Sequence, residues 1–421
     1  MNYDEFLKSK IVVDAPSGLS VVPPLNKSLF PFQRDIVTWA LRRGRAAIFA
    51  DCGMGKTAMQ LEWAKHIDGK VLILAPLAVA QQTVREAEKF NVPDVTYHRK
   101  EVGGHITVTN YEMIEHFNLD EFAGIVLDES SILKAYDGKT RTQIINGFAR
   151  TPYRLACTAT PAPNDYMELG NHSQFLGVMS YTEMLSMFFV HDGGETQKWR
   201  LKGHAESDFW KWLCSWAVMI RKPSDLGYED GDFKLPEMVM HDVTVKVDKP
   251  TSGMLFAMNA ETLQERIAAR RDTVADRVAH TAAVVNATSE QFLVWCNLNS
   301  ESDALRKAIP GAIEVKGSDS IEHKEKHLLA FARGELRCLI SKPTIAGHGL
   351  NFQACANMAF VGLSDSYEQF YQAVRRCWRF GQKRNVNVYV ICAENEGNVV
   401  SNIKRKEREA LDMAENMVEH M

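Results

Sequence analysis

Ala46-Ala47-Ile48-Phe49-Ala50-Asp51-Cys52-Gly53-Met54-Gly55-Lys56-Thr57 runs from an unbroken apolar stretch through two closely spaced glycines to a lysine and a threonine. The apolar stretch, Ala46 to Ala50, reads as a buried strand, and Thr57 to Ile67 as the helix that follows. A turn between them aims backbone N–H groups and the positive end of a helix at an anion. Gly53 and Gly55 let the backbone, with Met54 between them, approach phosphate oxygens closely. Lys56 offers a point charge for β- and γ-phosphates, and Thr57 an oxygen for Mg²⁺. The first glycine of the common pattern is Ala50 here.

Outward from this loop the chain alternates short apolar runs with amphipathic stretches. Val71 to Ala75, Ile106 to Thr109, Gly124 to Leu127 and Tyr153 to Thr158 read as further strands. Near-continuous apolar runs between helices predict a parallel sheet covered on both faces. The alternation gives way after about Gly177 to a helical, aromatic-rich stretch holding Trp199, Trp210, Trp212 and Trp216. Those tryptophans suit either a small core or a stacking platform for bases, and the helical spacing of Trp212 and Trp216 favours the core. Turn chemistry follows at Pro223 to Gly227 and Glu229 to Asp232, then a second mostly helical stretch from about Gly253. Strands resume at Phe292 to Cys296, Ala312 to Val315, Arg337 to Ile340, Met358 to Gly362 and Val386 to Cys392. The expectation is an α/β chain of two parallel-sheet lobes in tandem with helical insertions. The first lobe covers about 1–225, its insertion about 178–225; the second covers about 226–421, its insertion about 250–285.

Two further stretches carry chemistry. Leu127-Asp128-Glu129-Ser130-Ser131 closes a buried strand, where Asp128 can hold Mg²⁺ and Glu129 can orient and deprotonate an attacking water. Thr158-Ala159-Thr160-Pro161 ends the next strand with two hydroxyls. Far downstream, Gln372-Ala373-Val374-Arg375-Arg376-Cys377-Trp378-Arg379-Phe380-Gly381-Gln382 sets Arg376 and Arg379 three residues apart on an expected helix. Such a pair can reach a phosphate held by another part of the molecule, in a cleft that closes and reopens with a nucleotide.

Composition narrows the setting. The 421 residues carry a formal net charge of −4, yet Arg375 through Arg384 holds five basic residues and no acidic one. A groove can be positive on a protein whose outer surface is acidic. No segment approaches the apolar length of a membrane span, and the first residues show no signal-peptide pattern. Eight scattered cysteines, none in a Cys-x-x-Cys pair, fit a reducing compartment rather than a zinc ribbon or disulfide framework. His323 and His327, four apart among Glu322, Lys324, Glu325 and Lys326, read as a solvated helix face.

From about Leu29 to about Val400 the chain resembles helicase superfamily two, and within it the SNF/SWI-type DNA-translocating ATPases. Phe30-Pro31-Phe32-Gln33 resembles the adenine-reading segment, which implies an adenine contact for Gln33. Thr158 to Asn164 with Glu168-Leu169 and Phe175-Leu176, and Met219 to Lys222 with Leu235-Pro236, are similar to the third motif and the inter-lobe segment. Val315-Lys316-Gly317 and Ser341 through Phe352 resemble second-lobe motifs, and Gln372 to Gln382 is the most specific match. The resemblance implies RecA-like lobes that use ATP with Mg²⁺, with Gly349 and Gln372 beside the nucleotide. It also implies that Pro76, Thr109, Asn110, Tyr111, Ser341 and Thr344 track the phosphates of one DNA strand, with duplex DNA the favoured track and no membrane partner. Two positions depart from the pattern: Ser130-Ser131 stand where the family usually has Ala-His, and Trp378 where it usually has histidine. In the family both histidines belong to the network linking ATP to the DNA track. The bare two-lobe core resembles the compact forms of prokaryotes and phages, which implies a cytoplasmic setting. An RNA helicase of the same superfamily and a non-enzymatic DNA-binding scaffold are the alternatives.

Overall fold

The apolar runs set between helices form strands buried on both faces, so each must be covered by helices and paired in parallel. The computed structural model describes residues 16–135, 138–191, 199–246, 263–346 and 351–421. The chain opens with α1 (Pro31–Arg43), β1 (Arg45–Ala50), α2 (Lys56–Lys65), β2 (Val71–Ala75) and α3 (Leu77–Lys89). Next come β3 (Val95–Tyr97), β4 (Ile106–Asn110), β5 (Gly124–Asp128), α4 (Lys139–Gly147) and β6 (Tyr153–Thr158). Helices α5 (Leu169–Leu176) and α6 (Tyr181–Phe188) lead to a small antiparallel hairpin, β7 (Phe189–His191) and β8 (Trp199–Leu201). The segment ends with α7 (Glu206–Trp216) and β9 (Ala217–Ile220).

Residues up to Asp230, together with Ala410–Met421, form one compact unit. Its sheet runs β3-β4-β2-β5-β6-β1-β9 with every pair parallel. The chain leaves β1 and crosses β6 and β5 to reach β2, so the carboxyl ends of β1, β6 and β5 come to lie side by side. Register sets Asp128 level with Cys157, Cys157 with Ile48, and Thr158 with Phe49. Ligands of open parallel sheets bind at such strand ends.

The stretch expected as a purely helical insertion ends differently. Ala217–Ile220 pairs with β1 as β9, because four apolar residues just after a helix are too short a run to show a period. Trp210, Trp212 and Trp216 are core residues and not a stacking platform: Trp216 is wholly buried and its ring centroid lies 5.3 Å from that of Trp212. The same core takes in Met413, Ala414 and Met417. The last dozen residues, expected with the second lobe, therefore pack with the first.

The second unit, Gly231–Glu409, holds β10 (Met238–Val245), α8 (Leu263–Asp272), α9 (Val274–Asn286), β11 (Phe292–Cys296) and α10 (Asn299–Ala308). It continues with β12 (Ile313–Val315), α11 (Ile321–Ala332), β13 (Cys338–Ser341), α12 (Pro343–Ala346), β14 (Asn357–Val361), α13 (Tyr367–Val374) and β15 (Val386–Ala393). Helix α14 (Gly397–His420) begins in this unit, and its residues from Ala410 onward belong to the first. The sheet order is β10-β15-β14-β11-β13-β12, again all parallel. Strand β10 lies beyond the runs read as strands, since its first four residues are half-exposed, Asp242 and Thr244 are exposed, and only Val245 is buried. Beneath the sheet, fully buried Arg277 pairs with Glu301 at 2.7 Å and Glu396 at 3.4 Å, tying α9 to the start of α10. Removing one member of such a pair typically costs about 3–5 kcal/mol, because the other charge stays buried alone.

Candidate active site

Gly53 and Gly55 adopt φ of 95° and 81°, in the left-handed region where a Cβ is strained. A Cβ at Gly55 would also stand 2.3 Å from Gln33 Nε2. The loop therefore needs glycine twice over. It is closed by Met54 N–H donating to Asp51 O (3.2 Å), and by Cys52 N–H donating to Asp51 Oδ1 (2.6 Å). Helix α2 begins at Lys56. Gln33 is buried, its Nε2 donating to Met54 O at 2.9 Å and its Oε1 accepting from Phe30 N–H at 2.9 Å. Its amide thus braces the loop and has one N–H and one lone pair left for any base.

Across the strand ends the acidic pair meets the loop. Lys56 Nζ lies 3.1 Å from Glu129 Oε1, and Thr158 Oγ1 donates to Glu129 Oε2 at 3.3 Å. Asp128 Oδ1 accepts from Gln60 Nε2 at 2.9 Å, and its carbonyl from Tyr111 Oη–H at 2.7 Å. Glu129 has φ 58° and ψ 57°, a left-handed backbone at a side-chain-bearing residue. That conformation costs about 1–2 kcal/mol, and such strain persists only where the surroundings enforce it. It turns the Glu129 carboxylate toward Lys56 and Thr158.

Electrostatics follow the geometry. Burial first, then the Glu129 charge, push the Asp128 carboxyl up to about 6, against the opposing influence of Lys56 and Gln60. Burial works against the Lys56 ammonium, but Glu129, Cys52 and Asp128 together outweigh it and raise its pKa above the ordinary lysine value. A cation near Asp128 would relieve this crowding of carboxylates. Thr57 hydroxyl and Asp128 carboxylate are hard oxygen donors, which suits Mg²⁺ shared with phosphates. Among the described residues there is no group of three or more His, Cys, Asp or Glu side chains able to hold a metal by themselves.

In the second unit, α13 is capped by Ser366, whose Oγ accepts from Gln369 N–H at 3.3 Å, and it stops at Val374. Arg376 and Arg379 were expected on that helix; both lie in the turns beyond it. The reason is a competing partner: Arg376 O accepts from Phe352 N–H at 2.8 Å, in place of a helical donor. Arg376 is buried, with Nη2 on Gln372 Oε1 (3.0 Å) and Nε on Gln372 O (3.1 Å). The turns are pinned by Gln382, whose Nε2 donates to Cys355 O at 2.9 Å. Trp378 Nε1 donates to Pro236 O at 2.8 Å, and its ring lies 4.8 Å from the Arg375 guanidinium carbon.

The expected phosphate-tracking residues are mostly turned inward. Thr109 is wholly buried, Asn110 binds Glu112 Oε2 through Nδ2 (2.5 Å), and Tyr111 is committed to Asp128. Ser341, 1% exposed, donates to Val315 O at 3.0 Å. The Tyr111 and Ser341 hydroxyls are both spent on backbone carbonyls, and the buried Thr109 hydroxyl has no hydrogen-bond partner among the described residues. Thr344 is exposed and Pro76 half-exposed. Gly349 lies outside the described residues. Sequence reasoning missed Gln60 and the Tyr111 hydroxyl as supports of Asp128, because no local pattern marks them.

Residues 276–381 match the Helicase conserved C-terminal domain family. The chain is 24% identical to the bovine DNA annealing helicase and endonuclease ZRANB3, over 88% of this chain and 39% of that protein. It is 22% identical to the Caenorhabditis elegans homologue of SWI/SNF-related matrix-associated actin-dependent regulator of chromatin subfamily A-like protein 1, over 94% of this chain and 64% of the relative. Among solved structures, the Sulfolobus solfataricus SWI2/SNF2 ATPase core in complex with dsDNA aligns over 95% of this chain and 96% of that one, at 16% identity and a TM-score of 0.46. The chain thus spans about two fifths of the length of the bovine relative it matches. No described helix is long and apolar enough to cross a membrane.

Proposed function

We propose that this chain, a member of the SNF/SWI-type branch of helicase superfamily two on this reading, is a DNA-stimulated ATPase that moves along duplex DNA. One observation carries the reading: the ends of β1, β5 and β6 bring Lys56, Asp128, Glu129 and Thr158 together behind a glycine loop that opens a helix.

In this mechanism the loop's N–H groups cradle the ATP phosphates, and Lys56 leaves part of its contact with Glu129 to serve the γ-phosphate. Thr57 and Asp128 would hold Mg²⁺, which supplies charge to offset the phosphate oxygens. Glu129, freed on one oxygen and still held by Thr158 on the other, orients the attacking water and takes its proton. Arg376 and Arg379, carried by the second unit, neutralise charge developing on the transferred phosphoryl group, with Gln372 presenting Arg376. Alternate closure and opening then advance the protein along one strand.

DNA is favoured because the bovine relative is by name a DNA annealing helicase. Contacts to phosphates from backbone N–H groups and Thr344 would grip without reading sequence. The test is the ATPase rate with duplex DNA, single-stranded DNA and RNA, with triplex displacement as the readout of movement. Duplex DNA should stimulate most, with apparent affinity falling by about 0.9 in log K per log salt for each phosphate contacted. Stimulation by RNA alone would favour the RNA helicase alternative. A turnover rate indifferent to every polymer would overturn the motor.

A further inference from the structure

Ser130 follows the strained Glu129 directly, and its hydroxyl does not face solvent. Ser130 Oγ lies 3.0 Å from His172 Nε2, with both residues wholly buried. His172 sits in α5, 42 residues away, and its ring also meets Phe49 of β1 edge-on, with centroids 5.5 Å apart. One imidazole therefore touches the strand that feeds the phosphate loop and the residue next to the carboxylate at the end of β5.

The pairing has a defined chemistry. Burial lowers the His172 pKa to about 4, so the ring is neutral near pH 7. The Glu168 backbone, one turn earlier, opposes this shift without outweighing it. In the tautomer protonated on Nδ1, Nε2 is the acceptor and Ser130 Oγ–H the donor. A buried serine on a histidine cannot act as a nucleophile here, because no substrate can reach it. What it can do is fix the peptide between residues 129 and 130. The short helical turn that Ser130 begins is held to α5 a second time, by Asn171 Nδ2 donating to Lys134 O at 3.3 Å.

We propose that His172 is a positioning residue: through Ser130 it holds Glu129 in its left-handed backbone and so aims the carboxylate at the attacking water. The inference rests on the ATPase reading above, and no local motif marks His172 for the role.

The test uses the full chain with S130A, H172F and the double variant, each checked for folding by circular dichroism and thermal melting. The expected result is a fall in kcat of about ten-fold or more in each single variant. The KM for ATP and the affinity for a fluorescent ATP analogue should stay within about two-fold of wild type. The double variant should be no worse than the worse single one, since both remove one bond. S130A removes a single oxygen, so it decides the matter even if H172F does not fold. Wild-type kcat in S130A, additive losses in the double variant, or a melting change with kcat per folded molecule intact would each overturn the proposal while leaving the ATPase reading standing. A wild-type chain that binds but never hydrolyses ATP would overturn both.

Discussion

Lys56 Nζ is held 3.1 Å from Glu129 Oε1, so the lysine proposed to bind phosphate and the proposed general base share one ion pair. Any phosphate that recruits Lys56 must compete with Glu129, and in doing so releases that carboxylate. On the proposed mechanism, nucleotide binding and activation of the base would thereby be one event.

Lys56→Ala removes the charge proposed to serve the phosphates and also the counterion of two adjacent carboxylates. Turnover should fall by about 10²–10³-fold or more, in line with the loss of a preorganised electrostatic contact. Circular dichroism should stay native, since the lysine sits at a loop-helix junction. Steady-state hydrolysis by the purified variant checks this, and wild-type turnover would remove the loop from the site.

Glu129→Gln keeps the shape and a partner for Thr158 but loses the base. ATP should still bind while hydrolysis nearly stops. The same change removes the second-largest influence raising the Asp128 carboxyl, so Mg²⁺ dependence should be no worse than in wild type. Equilibrium binding of an ATP analogue beside a single-turnover assay separates the two roles. Loss of binding would mean that Asp128 and Glu129 have been assigned the wrong way round.

Arg376→Ala and Arg379→Ala should each collapse DNA-stimulated turnover by about 10³-fold or more, with ATP affinity changed far less. Lysine at either position should rescue poorly, lacking the planar fork. The two differ in stability. Arg376 is buried on Gln372, so its loss should also lower the melting temperature, whereas half-exposed Arg379 should be nearly silent there. Measurement at saturating ATP and DNA is needed, because arginines that only bind DNA would weaken its affinity and leave full turnover.

Stability should carry the signature of His172 in its pH dependence. Its folded-state pKa of about 4 lies below the ordinary value of 6.5, so the unfolded chain takes up the proton first as pH falls. The contribution is fully present above pH 6.5 and is lost toward pH 4, by about 3 kcal/mol at most. Glu168 carries the opposite sign: burial pushes it up to about 7, so its contribution is lost as pH rises from 4.5. The two oppose each other between about pH 4.5 and 6.5, and the wild-type curve alone would hide both. The difference between wild type and H172F in urea unfolding should therefore grow from pH 4 to 6.5 and be flat above. A flat difference throughout would mean that the imidazole is not buried neutral.

What could be read from sequence was what acts through neighbours in the chain. Gly53, Gly55, Lys56 and Thr57 sit within five positions, and a strand before and a helix after suffice to define their geometry. The two parallel sheets followed from apolar runs such as Val71–Ala75 and Phe292–Cys296, each long enough to show its character. The supports of the site were hidden because their partners are distant. Gln60 reaches Asp128, Tyr111 the Asp128 carbonyl and His172 Ser130 only after strand register sets their levels. Thr109, Tyr111 and Ser341 were named through the resemblance, and their burial was not legible because it depends on what packs over the strand ends. The turn after Val374 depends on Phe352, more than twenty residues earlier, taking the Arg376 carbonyl.

The first unit takes its core from two separate parts of the chain. Met413, Ala414 and Met417 are each 2% exposed or less, and Cys214 Sγ–H donates to Met417 O at 3.4 Å. During synthesis these residues leave the ribosome only after the whole of Gly231–Glu409 has been made. At translation rates of about 5–20 residues per second, that interval lasts roughly ten to forty seconds. For that time the Trp212 and Trp216 region waits with part of its apolar cover missing. The first unit thus closes its core only when the end of the chain arrives, so its last apolar cover is also the last part of it to be made.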